Sequence, residues 1–176
     1  MLQRTPVPYD YRLSETLARL RNPGALLVST LPDGRSNAMI IGWGAVGVMW
    51  ARPVFVVMVR PSRYTYGIIE AAHVFTVNVP PDPATDSRLA EWVKVCGTRS
   101  GRDVDKFGAY DTATSPARNV PSITVDACPL VYECRVVHHN DLIPANLLPE
   151  FDARSYPEGD YHRYYYGEIL GTYAAG

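Results

Sequence analysis

The chain has 176 residues, 47% hydrophobic and 20% charged, with 17 basic and 18 acidic side chains and a formal charge of -1. These are the proportions of a globular protein, and so small a net charge creates no overall field that would draw nucleic acid or an anionic membrane. The apolar runs fall far short of a membrane-spanning helix, and three cysteines without a Cys-x-x-Cys spacing give neither a zinc site nor a disulfide framework.

The expected organisation is a single domain over 1–176, with residues 1–22 as a polar lead-in that carries a short helix over 14–21. The opening Met1-Leu2-Gln3-Arg4-Thr5-Pro6 has no apolar targeting stretch, so the cytoplasm is the expected location. Residues 25–31 read as a strand. Pro32-Asp33-Gly34-Arg35 reads as a turn, because Asp-Gly tolerates positive φ. A second strand follows over 36–43, interrupted by Gly42, Gly44 and Gly47, where a bulge or a ligand close to the backbone fits.

Residues 54–59 form a third strand, β-branched and without alternation, as expected when both faces are covered. Thr65, Ile68, Ile69 and Ala72 then recur at helical spacing, ending near His73. Residues 74–79 return to strand and stop at Pro80-Pro81. Leu89, Trp92, Val93 and Cys96 lie at i, i+3, i+4 and i+7, the apolar face of a helix over 85–95.

Ser100 and Asp103 have capping-box spacing, which predicts a short helix through Val104, Lys106 and Phe107. Strands follow in 123–138 with a break at Pro129. Residues 140–161 read as loops, and 164–173 as a last strand. Short strands punctuated by glycine favour a barrel over an open sheet. No Gly-x-Gly-x-x-Gly turn and no P-loop are present.

Two segments carry the chemistry. Arg60-Pro61-Ser62-Arg63-Tyr64-Thr65 and Cys96-Gly97-Thr98-Arg99-Ser100-Gly101-Arg102-Asp103 each combine hydroxyls, arginines and backbone N–H groups at an expected helix start, an arrangement that suits phosphate. Taken singly, each also reads as an ordinary capped turn with solvent-facing arginines. Cys96 lies on an apolar stripe and is expected to pack rather than react. Adjacent His138 and His139 point oppositely on a strand and make poor co-ligands, and no metal site is expected. Glu168 reads as an ion-pair residue.

The chain resembles the flavin reductase-like family, the FMN-binding split barrels that include flavoredoxin. The ordered matches are Asn37-Ala38-Met39 with Trp43; Arg60-Pro61-Ser62-Arg63-Tyr64-Thr65; Phe75-Thr76-Val77-Asn78-Val79-Pro80; Cys96-Gly97 with Ser100-Gly101-Arg102-Asp103-Val104-Asp105-Lys106-Phe107; and His162 with Gly167-Glu168-Ile169. They span residues 24–171. The resemblance implies a mainly β split barrel with short inserted helices, working as a homodimer with FMN at the subunit interface.

By the same resemblance, Asn37, Ala38, Met39, Ile40, Ile41 and Trp43 run beside the isoalloxazine, and Arg60, Ser62, Arg63 and Thr65 hold the phosphate. Asn78, Ser100, Gly101 and Lys106 also meet the cofactor, and His162 meets flavin, nicotinamide or substrate as the catalytic candidate. Ile40, Ile41 and Gly42 stand where the family often places a hydroxyl residue, which makes this edge of the site more apolar.

The implied activity is FMN-dependent NAD(P)H:flavin reduction, with NADH or NADPH as transient reductant and a small molecule or a protein as acceptor. An electron-transfer flavoprotein with a protein donor and a non-catalytic flavin-binding module are the other readings. No nucleic-acid or membrane partner is expected.

Overall fold

The structure is a computed structural model that describes residues 3–176; Met1 and Leu2 of the lead-in lie outside the described residues. In chain order the elements are β1 (Thr5–Pro6), α1 (Leu13–Arg21), β2 (Ala25–Thr30), β3 (Ser36–Ile41), β4 (Gly44–Met49), β5 (Arg52–Val59), α2 (Tyr64–Ala72), β6 (Val74–Val79), α3 (Ser87–Thr98), β7 (Thr114–Pro116), β8 (Ile123–Val125), β9 (Leu130–Asp141), α4 (Pro149–Ser155) and β10 (Arg163–Ala174). The main sheet is antiparallel in the order β3-β2-β6-β9-β10-β5-β4, with β1 added beside β10; β7 and β8 form a separate hairpin.

The two-residue side-chain repeat sorts each strand between two cores. Ala25 and Leu27 of β2, Phe55, Val57 and Val59 of β5, and Phe75, Val77 and Val79 of β6 fill the interior together with Tyr132 and Tyr165. The alternate residues Leu26 and Val28, with Ala38 of β3, face outward and are covered by Leu89, Trp92, Val93 and Cys96 of α3. The apolar runs of β2 and β6 lack alternation because both faces are buried. The periodic stripe expected on the third helix is the stripe that packs.

β10 and β9 are 12 residues each, and their register shifts between Tyr166 and Gly167 and between Ile169 and Gly171. Such shifts bend a strand and let the sheet curl. At the first of them a Cβ on Gly167 would lie 2.4 Å from Phe75 Cζ and 2.8 Å from Cys134 Cβ. The strand approaches the interior too closely for any side chain.

Three local expectations change. The strand interrupted by glycines resolves into two, β3 and β4, which pair with different neighbours, β2 and β5; Gly44 permits the second pairing, since a Cβ there would come within 2.6 Å of the Val56 carbonyl oxygen. The β4–β5 hairpin closes through Trp50 and Ala51, at φ 52° and 56°. Primed hairpin turns need that left-handed geometry, and here no glycine supplies it.

The helix expected through Val104, Lys106 and Phe107 does not form. The Ser100 carbonyl accepts from the Asp103 and Val104 amides, and Asp105 Oδ1 accepts from Phe107 and Gly108, so a turn leads into a short 3₁₀ segment at Gly108–Tyr110. Among the described residues Ser100 Oγ accepts only from the Arg102 amide, so the carboxylate of Asp105, not a Ser100–Asp103 capping box, holds the amides leading into that segment. Finally, the loop region holds α4, whose signal is Pro149 in the first turn with Glu150 and Asp152.

Replacing Gly167 by alanine forces its Cβ into Phe75 and should destabilise the fold by about 1–3 kcal/mol. Urea unfolding measures this; an unchanged midpoint contradicts the close approach.

Candidate functional site

β3 is one lip of the sheet, so one side of its backbone is unpaired. The Ala38 carbonyl points that way and accepts from Lys106 Nζ at 2.7 Å. By the two-residue repeat, the Ile40 backbone groups face the same open edge. A cleft of about 410 Å³ runs along this edge. The turn before α2 walls it on one side, and the end of α3 with the following turn walls it on the other.

The two anion-binding segments therefore converge, and Gly101 is the reason they can. A Cβ there would lie 2.0 Å from Asn37 Oδ1 and 2.8 Å from Tyr64 Cδ1. Asn37 Nδ2 in turn donates to Thr65 Oγ1 at 2.7 Å, which fastens β3 to the first turn of α2. Arg102 closes the contact from the other side: its Nη1 donates to the Ser62 carbonyl at 3.1 Å, and its guanidinium lies over the Tyr64 ring. α2 begins at Tyr64 with no side chain capping it, so its first amides lack intrahelical acceptors and lie at the cleft.

The cleft is electropositive. Arg63, Arg99, Arg102 and Lys106 line it against one acid, Asp103. Lys106 is 3% exposed. Its ammonium bonds the Ala38 carbonyl and, at 3.3 Å, the Cys96 carbonyl, one of the carbonyls left open where α3 ends. No carboxylate pairs with it among the described residues. Burial lowers its pKa, and nearby Arg63 pushes in the same direction. The Lys106 segment is held in place because Trp92 Nε1 donates to the Lys106 carbonyl at 2.7 Å. Arg63 is exposed, and its guanidinium has no partner among the described residues.

Past Met39, Ile40 and Arg63 the cleft continues into a second space of about 190 Å³, lined also by Ile41, Trp43, Met58, Arg60 and His162. The His162 ring lies 5.0 Å from the Trp43 ring, and its Nδ1 is 2.8 Å from the Tyr156 hydroxyl. Burial pushes the His162 pKa down to about 4, with the Arg60 and Arg63 charges adding to the effect and Asp160 opposing it. The imidazole is therefore neutral at pH 7.

Of the expected residues, Asn37, Met39, Ile40, Ile41, Trp43, Arg60, Ser62, Arg63, Thr65, Ser100, Gly101, Lys106 and His162 all line these two connected spaces. Asn78 does not. It is fully buried in β6, donating to Thr76 Oγ1 and accepting from the Val125 amide, so both ends of its amide serve the fold. Ala38 contributes only its carbonyl, since its side chain lies under α3.

Arg60 is spent on the chain itself. It donates to the carbonyls of Ser155, Gly159 and Asp160 and covers the Tyr156 ring. The second segment does not open a helix but follows the C-terminal end of α3. Its later amides therefore come from a turn, and the cation that meets the negative end of that helix is Lys106, through the Cys96 carbonyl.

Cys96 is buried in the outer core, and burial pushes its thiol up to about 12, as packing requires. Glu168 is ion-paired with Arg135 and Arg52. Met58, Tyr156 and Asp160 belong to the site without a signal in the sequence, because each reaches it only through strand pairing or the return of a loop.

A model of the flavin reductase like domain matches residues 19–175. The chain is 28% identical over 154 residues to the uncharacterized protein YddH of Escherichia coli (strain K12), a match covering 81% of this chain and 78% of that protein. Its fold resembles flavoredoxin of Desulfovibrio vulgaris (Miyazaki F), with a TM-score of 0.66 at 21% identity over 86% of this chain and 69% of that one. It also resembles an FMN-binding domain of a flavin reductases-like enzyme from Shewanella baltica OS155, with a TM-score of 0.66 at 18% identity over 99% of this chain and 78% of that one. The fold is thus the sheet-dominated split barrel with short inserted helices.

His162 yields a signed pH effect. Its pKa is about 4 in the fold against an ordinary 6.5, so between those values the unfolded chain binds more protons. The stability His162 contributes is complete above the upper value and is lost as pH falls toward the lower one. In urea titrations across this window, His162→Phe should flatten the fall in midpoint seen for the wild type. Parallel curves contradict the assignment.

Proposed function

We propose that this chain, which belongs to the flavin reductase like domain family, is an FMN-dependent oxidoreductase, in its simplest form an NAD(P)H:flavin reductase. One observation carries the reading: Lys106 is buried at the open edge of β3 with no carboxylate, beside the unpaired Arg63. A buried ammonium is costly unless its charge is compensated, and carbonyls compensate it only in part. An anionic group in the cleft completes the compensation. The volume of about 410 Å³ suits a small-molecule ligand.

In this reading Arg63, Lys106 and the first amides of α2 hold the phosphate. Gly101 and Ser100 bring their turn against the ligand, and the Ile40 backbone supplies hydrogen bonds along the open edge. Met39, Ile41, Trp43 and Met58 exclude water from the space past Arg63. Bound FMN would supply the redox chemistry, accepting a hydride from a transient nicotinamide and passing electrons on.

His162 keeps a single ring proton at neutral pH. Its Nδ1 is engaged by Tyr156, and Nε2 is the nitrogen left for a ligand. It orients a polar edge without adding charge.

We also propose a homodimer. Exposed Trp43, Val48 and Trp50, at 45%, 61% and 64%, support it, because large apolar side chains in such number mark contact surfaces. Light scattering reads the mass directly.

Two outcomes test the activity. Arg63→Ala should weaken FMN binding by about tenfold or more while leaving riboflavin nearly unchanged, since one charged hydrogen bond contributes about 1.5–3 kcal/mol. Equal loss for both flavins removes the phosphate role. Anaerobic addition of NADH or NADPH should bleach the flavin spectrum of FMN-loaded protein; bound flavin that never bleaches favours an electron carrier or a non-catalytic module.

A further inference from the structure

We propose that Asp160 is a specificity-determining residue that weakens the preference of this cleft for phosphorylated over unphosphorylated flavin. The inference rests on the flavin reading above and names a residue that acts against phosphate. Asp160 Oδ2 accepts from the Ser62 hydroxyl at 2.5 Å, and Oδ1 accepts from the Ser62 backbone N–H at 3.2 Å. These are donors that the turn before α2 would otherwise offer to phosphate. An internal carboxylate already stands on them.

The contact is built by the fold. Asp160 has φ 56° and follows Gly159 at φ 75°, a left-handed pair that turns the chain back toward Ser62. Arg60 pins the same loop through the carbonyls of Ser155, Gly159 and Asp160, and its guanidinium lies 5.0 Å from the centre of the Tyr156 ring. Arg102 holds the Ser62 carbonyl from the far side. Arg60, Arg63 and His162 belong to the same neighbourhood as the carboxylate, and the one acid that lines the larger space itself is Asp103.

A phosphate entering the cleft is drawn by Arg63 and Lys106 but must displace Asp160 from Ser62 or accept a fixed negative charge beside it. Riboflavin, with no phosphate, meets neither cost. The penalty therefore falls on FMN alone and makes FMN more readily exchanged.

The experiment compares dissociation constants of FMN and riboflavin, read by flavin fluorescence, for the wild type and Asp160→Asn. Asparagine tolerates positive φ and keeps an acceptor for Ser62, so the turn is retained while its charge is removed. FMN should bind roughly tenfold tighter to the variant, with riboflavin changed by less than about twofold. Asp160→Ser, a second small polar replacement, should show the same selective tightening if the first variant folds poorly. Weaker FMN binding, or equal shifts for both flavins, overturns the role of Asp160 while leaving the flavin reading intact. A wild-type protein that binds neither flavin overturns both.

Discussion

A buried ammonium ties the outer layer of this protein to the lip of its sheet. Lys106 reaches from the turn after α3 to the carbonyls of Ala38 and Cys96, while the Trp92 indole holds the backbone of the same residue. The two bonds run in opposite directions between one helix and one loop, so neither element can shift without breaking the other's contact. The edge strand, left open by the sheet order, gains a partner that donates hydrogen bonds as a strand would but leaves room beside it. The cleft exists because that partner is a side chain. Its charge makes the space one that an anion completes.

Around this tie, the site sets attraction against restraint. Arg63 and Lys106 supply positive charge without a carboxylate partner, whereas Arg60 and Ser62, two residues of the same turn, are engaged by the loop between α4 and β10. That loop also delivers Tyr156 to the Nδ1 of His162. One segment thus touches both ends of the cleft: Asp160 engages Ser62 at one and Tyr156 fixes the imidazole at the other. In the proposed reading, this loop sets the balance between holding and releasing the flavin.

The fold was legible wherever burial alone dictates pattern. The unalternated runs of β2, β5 and β6, the apolar stripe of α3 and the break at Pro129 follow from which faces must leave water. Where conformation depends on close approach, the pattern misled. The glycines of β4 resembled interruptions because only the neighbouring strand shows that Gly44 must lack a side chain. The helix expected near Val104 lost to a turn, since Asp105 bonds the amides that a helix would have needed. In the site, Asn78 looked like a cofactor contact by its place in a motif, yet its side chain is fully buried in β6, with its nitrogen bonded to Thr76 and its oxygen to the Val125 amide.

The sequence by itself determined a sheet-rich fold, two segments with the donors and cations to grip an anion, and thiols suited to packing, because composition, periodicity and hydrogen-bonding chemistry are local properties. Only the tertiary structure decided that the two segments meet, that Lys106 is buried without a carboxylate, and that Asp160 stands on Ser62. Those facts depend on contacts between residues as far as 98 positions apart, whose distances are set by strand register and loop return.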